Sequence, residues 1–426
     1  MRIRSAAVIA CVVVVGVAQM VTASAASPSR HTESTMQPST TQPSATQFTQ
    51  VTADPPIAPP ATTSCTEHVV VNHMFQSSYY QPAFGTLTPP ADCPAPWSLV
   101  VVSFTASVGG VQFDRLADVY VGDTNVFSTS TSEPCCTPGA TVNWTWQKDV
   151  SEYSPLFTQS QTVTVILNNV NDSTYTGVYD VSVDFTFYET GTGAPEAAHP
   201  DQIVPVTDLS NSGGDGFYTL TSGGQVASQA VTFPRNLRRL SAELFAQGHG
   251  PCEEFWWADP AQCGVSTPYR EVTIAIDGSL AGAAPVYPVV FTGGDGPGLW
   301  EPIPSPRAWN LRPYVVDLTP FAGLLTDGAP HTIAIGVIDA AYASGDYWLV
   351  GANLLAWVDQ GSTQTTGGLD SSSAPAAPTE SAVSDPSGNS AGETFSAQHA
   401  LSWSGHVQTS AGTESTSVQE SLSDST

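Results

Sequence analysis

The stretch Val178-Tyr179-Asp180-Val181-Ser182-Val183-Asp184-Phe185-Thr186-Phe187-Tyr188 decides the fold of this chain. Every second side chain in it is apolar, and most of the others are polar. Successive side chains of a β-strand point to opposite faces, so this alternation predicts an antiparallel strand with one face buried in a core. The predicted buried face carries Tyr179, Val181, Val183, Phe185 and Phe187.

Similar runs recur on both sides of that strand. They are separated by turns rich in Gly, Pro, Asn and Asp, and they cover residues 97–108, 117–121, 162–167, 237–246, 271–277, 332–337 and 347–358. Helical periodicity is limited to short pieces such as 320–325. Many short strands with turns between them are typical of sandwiches and jelly rolls. The sequence therefore predicts an all-β fold of two antiparallel jelly-roll or β-sandwich domains packed side by side.

The N-terminus has the pattern of an exported protein. Arg2 and Arg4 precede an apolar run that ends in the small residues 23–26, as in a signal peptide cleaved near residue 25. The apolar run is too short to favour a membrane span. We therefore expect a secreted protein with no stable membrane partner; a retained N-terminal anchor is the alternative.

Two segments rich in Ser, Thr and Pro flank the central region. They hold few large apolar residues and cannot bury a core, so we expect both to be disordered. A stretch rich in Gly, Ala and Pro at 191–205 predicts a boundary between two β domains. The predicted parts are a signal peptide at 1–25, linkers at 26–63 and 361–392, jelly-roll domains at 64–198 and 199–360, and a tail at 393–426 that either starts a further β segment or is disordered.

The chain is strongly acidic. It has 38 Asp and Glu against 11 Lys and Arg, which gives a formal net charge of -27. Binding to a phosphate backbone needs basic patches, so nucleic acid is excluded as a partner. No Cys-x-x-Cys pair or His-Glu-x-x-His motif occurs, so we expect neither a metal nor a cofactor.

Six of the seven cysteines follow the predicted signal peptide, and an even number in an exported chain indicates disulfides. Cys252 and Cys263 flank an acidic, aromatic loop, and a bridge between them is the favoured pairing. The remaining four are Cys65, Cys93, Cys135 and Cys136. The adjacent pair either bond to each other or bond separately to the two earlier cysteines, and the sequence does not choose.

Asp114 and Arg115 lie in the first of two stretches that join carboxylates to aromatic groups, Phe113-Asp114-Arg115-Leu116-Ala117-Asp118-Val119-Tyr120-Val121. They stand at the entry to a predicted strand. Neighbouring charged residues at a strand edge are often solvated surface residues. Taken alone, this motif therefore favours a structural role over a catalytic one.

Glu253 and Glu254 lie in the second stretch, beside Phe255, Trp256 and Trp257. Apolar neighbours raise the pKa of a carboxyl group, and a nearby like charge raises it further. Glu254 is therefore suited to donating a proton, and carboxylates among aromatic rings are typical of hydrolases that act on sugars. An acidic surface loop with core tryptophans is the alternative. His249, a lone histidine between glycines, is expected to be structural.

A Pro-rich loop at 298–309 contains Trp300, Arg307 and Trp309. Its prolines exclude a central strand. A tryptophan on a rigid loop is suited to stacking on a sugar, and an arginine to hydrogen-bonding hydroxyl or carbonyl groups. Packing in the core is the alternative for at least one of the two tryptophans.

Several of these motifs, in sequential order, resemble the peptide-N4-(N-acetyl-β-glucosaminyl)asparagine amidase A family. They lie at residues 113–121, 130–134, 237–257, 268–272, 293–325 and 347–350, and the resemblance spans about 104–359. It implies hydrolysis of the amide that joins asparagine to the first N-acetylglucosamine, which leaves aspartate and releases a glycosylamine. The distantly related peptide:N-glycosidase F has two jelly rolls with its site at their junction, in agreement with the predicted fold.

The resemblance also implies roles for individual residues. Asp114 matches the catalytic aspartate and Glu254 a second glutamate of the site, while Arg115 would hold the Asp114 carboxylate ionised. A third glutamate would fall near Leu167-Asn168-Asn169, where this chain has no carboxylate, so either Glu133 substitutes for it or two acids suffice. The expected substrate-binding residues are Arg115, Glu133, Glu253, Trp256, Arg307 and Trp309.

Two other functions fit the same residues. A secreted carbohydrate-binding protein could retain the sandwich without turnover, and the absent third carboxylate favours that alternative somewhat. An endoglycosidase also uses paired carboxylates, but it would leave one sugar on the asparagine.

Overall fold

The computed structural model describes residues 54–79, 81–133, 141–191, 199–209, 216–257, 267–292, 305–343, 345–383 and 394–425. All of them belong to one compact unit, 43–426. Strands dominate these residues, which also include two short 3-10 helices, Ser151–Thr158 and Thr319–Thr326. Neither helix is long and apolar enough to cross a membrane.

The first half is a sandwich of two antiparallel four-stranded sheets. One sheet has, in spatial order, β1 (Ser64–Phe75), β8 (Val178–Glu189), β3 (Trp97–Gly109) and β6 (Thr141–Asp149). The other has β2 (Ala83–Leu87), β7 (Gln161–Leu167), β4 (Leu116–Val121) and β5 (Thr124–Ser130). Side chains from both sheets share one hydrophobic core.

β8 is the strand predicted from the alternating stretch. The five side chains predicted to face the core are fully buried, and the residues between them are partly exposed. Burying one large apolar side chain contributes about 1.5–3 kcal/mol, so this face makes a large contribution to the core. The strand pairs with β1 on one side and with β3 on the other, which places it centrally in its sheet.

The second half is another sandwich. Its five-stranded sheet contains β10 (Tyr218–Leu220), β17 (Tyr347–Val358), β12 (Leu237–His249) and β15 (Tyr314–Asp317), with β9 (Gln202–Val206) also paired to β17. The facing sheet has β11 (Ala227–Thr232), β16 (Pro330–Ile338), β13 (Glu271–Ile276) and β14 (Ser279–Pro285). Together with the first sandwich, it confirms the predicted antiparallel all-β fold. The predicted domain boundaries stay a prediction.

A further antiparallel sheet follows the second sandwich. It contains β18 (Thr366–Ser373), β19 (Thr379–Val383), β20 (Thr394–Thr409) and β21 (Gly412–Ser425). The structure thus differs from the disordered linker predicted at 361–392, of which 384–392 lie outside the described residues. The short strands there bury little apolar surface of their own and pair with β20, whose Leu401, Trp403 and Val407 enter the second core.

A disulfide joins Cys65 of β1 to Cys93, with their Cα atoms 6.0 Å apart. It excludes the alternative in which these two residues bond to the adjacent pair, Cys135 and Cys136. Cys252 is also disulfide-bonded. Since Cys263 and the adjacent pair lie outside the described residues, their pairing stays a prediction.

Candidate active site

A cavity of about 210 Å³ is lined by residues of both sandwiches. Asp114 and Glu254, which are far apart in the sequence, both line it. The other lining residues are Tyr79, Arg115, Leu116, Asp118, Ile166, Asn168, His249, Phe291, Tyr347 and Leu349. The two stretches that carry the predicted catalytic acids therefore meet at one site.

Asp114 lies in the segment between β3 and β4, and hydrogen bonds fix the backbone on both sides of it. The Tyr179 hydroxyl donates to the Phe113 carbonyl oxygen at 2.6 Å. The backbone N–H of Arg115 donates to the Thr131 hydroxyl at 2.7 Å, and the Thr131 N–H donates to the Arg115 carbonyl oxygen at 2.9 Å. Because Tyr179 belongs to β8, the central strand anchors the segment that presents Asp114.

Burial raises the pKa of Asp114 to about 6, although hydrogen bonding at Thr292 and the positive charge of Arg115 act to lower it. Arg115 therefore acts in the predicted direction. The loss of hydration outweighs the attraction of this one cation, so the pKa lies above its usual value, and the expected role of Arg115 in keeping the carboxylate ionised stays a prediction.

The guanidinium group of Arg115 is held beside Asp114 by two amide side chains. Its Nη2 donates to Gln112 Oε1 at 2.7 Å, and its Nε donates to Asn169 Oδ1 at 3.4 Å. Gln112 and Asn169 are themselves fixed, since the first donates to the Val170 carbonyl oxygen at 2.8 Å and the second to that of Phe75 at 3.0 Å. The cation thus has little freedom to leave the cavity wall.

Glu254 lies in the turn that follows β12. Burial and, to a lesser extent, the negative charge of Asp114 together raise its pKa to about 7. The predicted direction is confirmed, but the like charge comes from Asp114 of the other sandwich and not from a neighbour in the loop. Because the Asp114 charge contributes to the raised Glu254 pKa, an ionised Asp114 favours a protonated Glu254.

Glu253 does not line the cavity. Its side chain is 0% exposed and forms a buried ion pair with Arg270, while Trp348 and the backbone of Ala341 donate further hydrogen bonds to it. Burial acts to raise the pKa of this carboxyl group, but the hydrogen bonds and charge of Arg270 hold it below its usual value. Both oxygens are occupied, so its predicted role in substrate binding is wrong.

The two tryptophans expected to bind the substrate, Trp256 and Trp309, are core residues. Trp309 is fully buried in the first core, where its ring centre lies 6.1 Å from that of Trp144. Trp256 is buried in the second core under the guanidinium group of Arg270. Neither ring has a face available to a sugar, so the expected role in substrate binding is wrong for both.

Arg307 and Glu133 are not among the residues that line the cavity. The Arg307 guanidinium carbon lies 4.9 Å from the centre of the Tyr287 ring. Glu133 is buried, and its charge contributes to the raised pKa of Tyr179. Their predicted roles in substrate binding stay predictions.

His249 also lines the cavity, although its sequence context predicted a structural role. Its ring stacks against Tyr347 at 5.1 Å and Phe291 at 6.4 Å, and burial lowers its pKa to about 4. The imidazole is therefore neutral at ordinary pH. The available signal was its position at the end of β12, just before the turn that carries Glu254.

Asn168 lines the cavity at the place where the resemblance implies a third carboxylate. An amide at this position offers both a donor and an acceptor without a charge. Within the described ranges, no cluster of three or more His, Cys, Asp or Glu side chains could hold a metal ion.

A family model described as "Peptide N-acetyl-beta-D-glucosaminyl asparaginase amidase A" matches residues 55–375. A curated relative from Prunus dulcis, named peptide-N4-(N-acetyl-beta-glucosaminyl)asparagine amidase A, is 31% identical over 338 residues, which are 74% of this chain. The match covers 58% of that relative, so this chain spans less than two thirds of its length.

Two solved structures are also similar. PNGF-II, in a C2 crystal form, has a TM-score of 0.50 and 14% identity, with 69% of this chain and 65% of that chain covered. PNGase F, a glycosylasparaginase from Flavobacterium meningosepticum, has a TM-score of 0.46 and 15% identity, with 70% and 96% covered. The first likeness supports the fold alone. From the family model and the Prunus relative, the chain belongs to the peptide N-acetyl-β-D-glucosaminyl asparaginase amidase A family.

Proposed function

We propose that this chain is a secreted amidase that hydrolyses the amide linking asparagine to N-acetylglucosamine in N-glycopeptides and glycoproteins, which gives aspartate and a glycosylamine. One observation carries the proposal: Asp114 and Glu254 come from different sandwiches, line one cavity and both have raised pKa values. Membership of the family and the name of the Prunus relative support the same reaction.

In the proposed mechanism, Asp114 is the base and Glu254 the acid. The Asp114 carboxylate takes a proton from a water molecule, whose oxygen attacks the carbonyl carbon of the asparagine side chain. Glu254 then donates its proton to the amide nitrogen, the C–N bond breaks, and the glycosylamine leaves while the peptide keeps a carboxyl group. A proton passed from Asp114 to Glu254 through solvent restores both groups.

The order of the two pKa values supports this assignment. Asp114, at about 6, ionises before Glu254, at about 7. Between these values the predominant form has a charged base and a protonated acid. Arg115 favours this form because its positive charge stabilises the Asp114 carboxylate.

We infer that only the innermost sugar enters the cavity. Its volume of about 210 Å³ is below the roughly 300–1,000 Å³ of sites that enclose drug-sized ligands. The second sugar of the chitobiose core and the outer glycan would then lie outside, against residues such as Tyr79, which is 45% exposed. Tyr347 and Phe291 supply apolar ring surface inside the cavity.

The proposal is tested with a defined N-glycopeptide and mass spectrometry of the peptide product. We expect the wild-type chain to convert the glycosylated asparagine into aspartate, and Asp114→Asn to abolish conversion while the protein stays folded. Asp92→Asn, at an exposed position that does not line the cavity, is the matched control and should keep full activity.

The same experiment separates the alternatives. An asparagine that retains one N-acetylglucosamine would identify an endoglycosidase. A glycopeptide that binds but is recovered intact would identify a carbohydrate-binding protein, and either result would contradict the amidase.

A further inference from the structure

Glu253 is a buried carboxylate beside the proposed acid, and the mechanism does not use it. Its Oε2 accepts hydrogen bonds from Arg270 Nε at 2.8 Å and from Trp348 Nε1 at 2.7 Å. Its Oε1 accepts from Arg270 Nη2 at 2.6 Å and from the Ala341 backbone N–H at 2.9 Å. Four donors from three separate parts of the chain therefore converge on one side chain.

Arg270 is fixed just as completely. Its side chain is fully buried, and its Nη1 donates to the carbonyl oxygens of Thr267 at 3.0 Å and Tyr269 at 2.7 Å. Its guanidinium carbon lies 5.6 Å from the centre of the Trp256 ring. The cation thus contacts the turn at two places, one on each side of Glu254.

The backbone of the turn is held from a third direction. Asp346 Oδ1 accepts hydrogen bonds from the N–H groups of Cys252 at 3.0 Å and Glu253 at 3.4 Å. Gly248 lets the turn lie directly on β12, because a Cβ at this position would collide with the Glu253 carbonyl oxygen. Cys252 adds a covalent restraint through its disulfide.

Stability alone does not account for a buried ion pair. Removing two charges from water costs several kcal/mol, and apolar replacements of buried pairs are often neutral or stabilising. The pair instead restrains the position of the turn. Residues 252, 253 and 256 are each anchored, and Glu254 is the acidic residue of this turn that lines the cavity.

We propose that Glu253 and Arg270 are positioning residues that hold the Glu254 carboxyl group in the cavity beside Asp114. The inference deepens the proposed function and rests on it. An acid that must protonate a leaving nitrogen needs a fixed orientation, and a displacement of about 1 Å can cost roughly 100-fold in rate. The bidentate ion pair fixes the direction in which residue 253 points, and through the backbone it fixes the direction of residue 254.

The test compares Glu253→Gln, Arg270→Lys and the double variant Glu253→Leu/Arg270→Met. Glu253→Gln keeps the shape of the side chain, Arg270→Lys keeps the charge without the bidentate geometry, and the double variant removes both charges together. We expect folded proteins with kcat reduced about 100-fold and KM changed by less than about threefold. We also expect the upper apparent pKa of the kcat profile to fall, since Glu254 would move away from Asp114 and towards water.

Arg238→Met/Glu414→Leu is the matched control, because it removes an exposed ion pair of 2.7 Å with the same substitutions. It should leave kcat and the pH profile unchanged. If a folded variant of the Glu253–Arg270 pair retains wild-type kcat and the wild-type upper pKa, the positioning role is overturned while the amidase stands. If the wild-type chain itself does not convert the glycopeptide, the proposed function fails, and the inference fails with it.

Discussion

In the proposed mechanism, Asp114 and Glu254 are two identical functional groups in one cavity with opposite tasks. Both carboxyl groups lose hydration, which raises the pKa of each. The positive charge of Arg115 offsets part of the increase in the Asp114 pKa, whereas the negative charge of Asp114 adds to the increase in the Glu254 pKa. The difference between base and acid therefore comes from the neighbours of each group and not from the type of residue.

The pH dependence of activity follows from these two groups. Activity should rise as Asp114 ionises near pH 6 and fall as Glu254 loses its proton near pH 7, so kcat/KM should be bell-shaped with its maximum between those values. Initial rates on a glycopeptide across pH 4–9 would check this. An activity that keeps rising above about pH 8 would contradict Glu254 as the acid.

Glu254→Gln should stabilise the protein at alkaline pH while removing activity. The raised pKa means that the folded state retains a proton that the unfolded state has already lost. The free energy of unfolding therefore falls as pH rises from about 4.5 to 7, and the neutral amide avoids this loss. Thermal unfolding should show a higher Tm for the variant at pH 8 and little difference at pH 4.

At the scale of single elements, β8 links the core to the site. The Tyr179 ring is buried among core residues, and its hydroxyl group accepts a hydrogen bond from Thr131 at 3.1 Å while donating to Phe113. Burial raises the pKa of this phenol well above its usual value, so it remains a donor throughout the working range of pH.

Tyr179→Phe should reduce both stability and kcat. The change leaves the Phe113 carbonyl oxygen without its donor from Tyr179, at an expected cost of about 1–3 kcal/mol, and loosens the segment that presents Asp114. Tyr188→Phe is the control from the same strand, since Tyr188 is only partly buried. Denaturant unfolding and glycopeptide turnover measured side by side would check the prediction; equal behaviour of the two variants would contradict it.

Several long strands that face a core were predictable from the sequence, although β1 and β6 were not. β3, β8, β12 and β17 were found to within a few residues, because their apolar alternation reflects burial directly. β18 and β19 were missed because they are stabilised by pairing with β20, which composition does not reveal.

The site residues show a similar division. Asp114 and Glu254 were found because short local motifs identify them. Trp256 and Trp309 were misjudged because a tryptophan suits a core as well as a sugar. Only the folded chain shows that both rings are enclosed.

At the scale of the whole molecule, the sheet formed by β18 to β21 packs against the second sandwich. Trp403 of β20 is buried in that core, and its Nε1 donates to the Leu280 carbonyl oxygen at 2.9 Å. His399 lies within 2.9 Å of Glu271 and within 2.9 Å of the Pro375 carbonyl oxygen. Glu271 directly follows Arg270, so this sheet also supports the segment that contacts the turn carrying Glu254.

Trp403→Ala should therefore destabilise the whole chain. Truncating a buried tryptophan costs about 3–5 kcal/mol, and the indole hydrogen bond is lost as well. Differential scanning calorimetry should show a Tm lowered by several degrees. Val418→Ala on β21, where the side chain is only partly buried, should change the Tm much less.

The hydroxyl group of Tyr179 also offers a way to classify relatives of this chain. A phenylalanine at this position would fill the same space in the core and cost about 1–3 kcal/mol through the lost hydrogen bond, which selection for folding alone can tolerate. Selection for turnover should favour the tyrosine more strongly, because its hydroxyl group also holds the segment that presents Asp114. Lineages that retained the sandwich and abandoned the reaction should therefore drift to phenylalanine here, and this one position would separate them from active relatives.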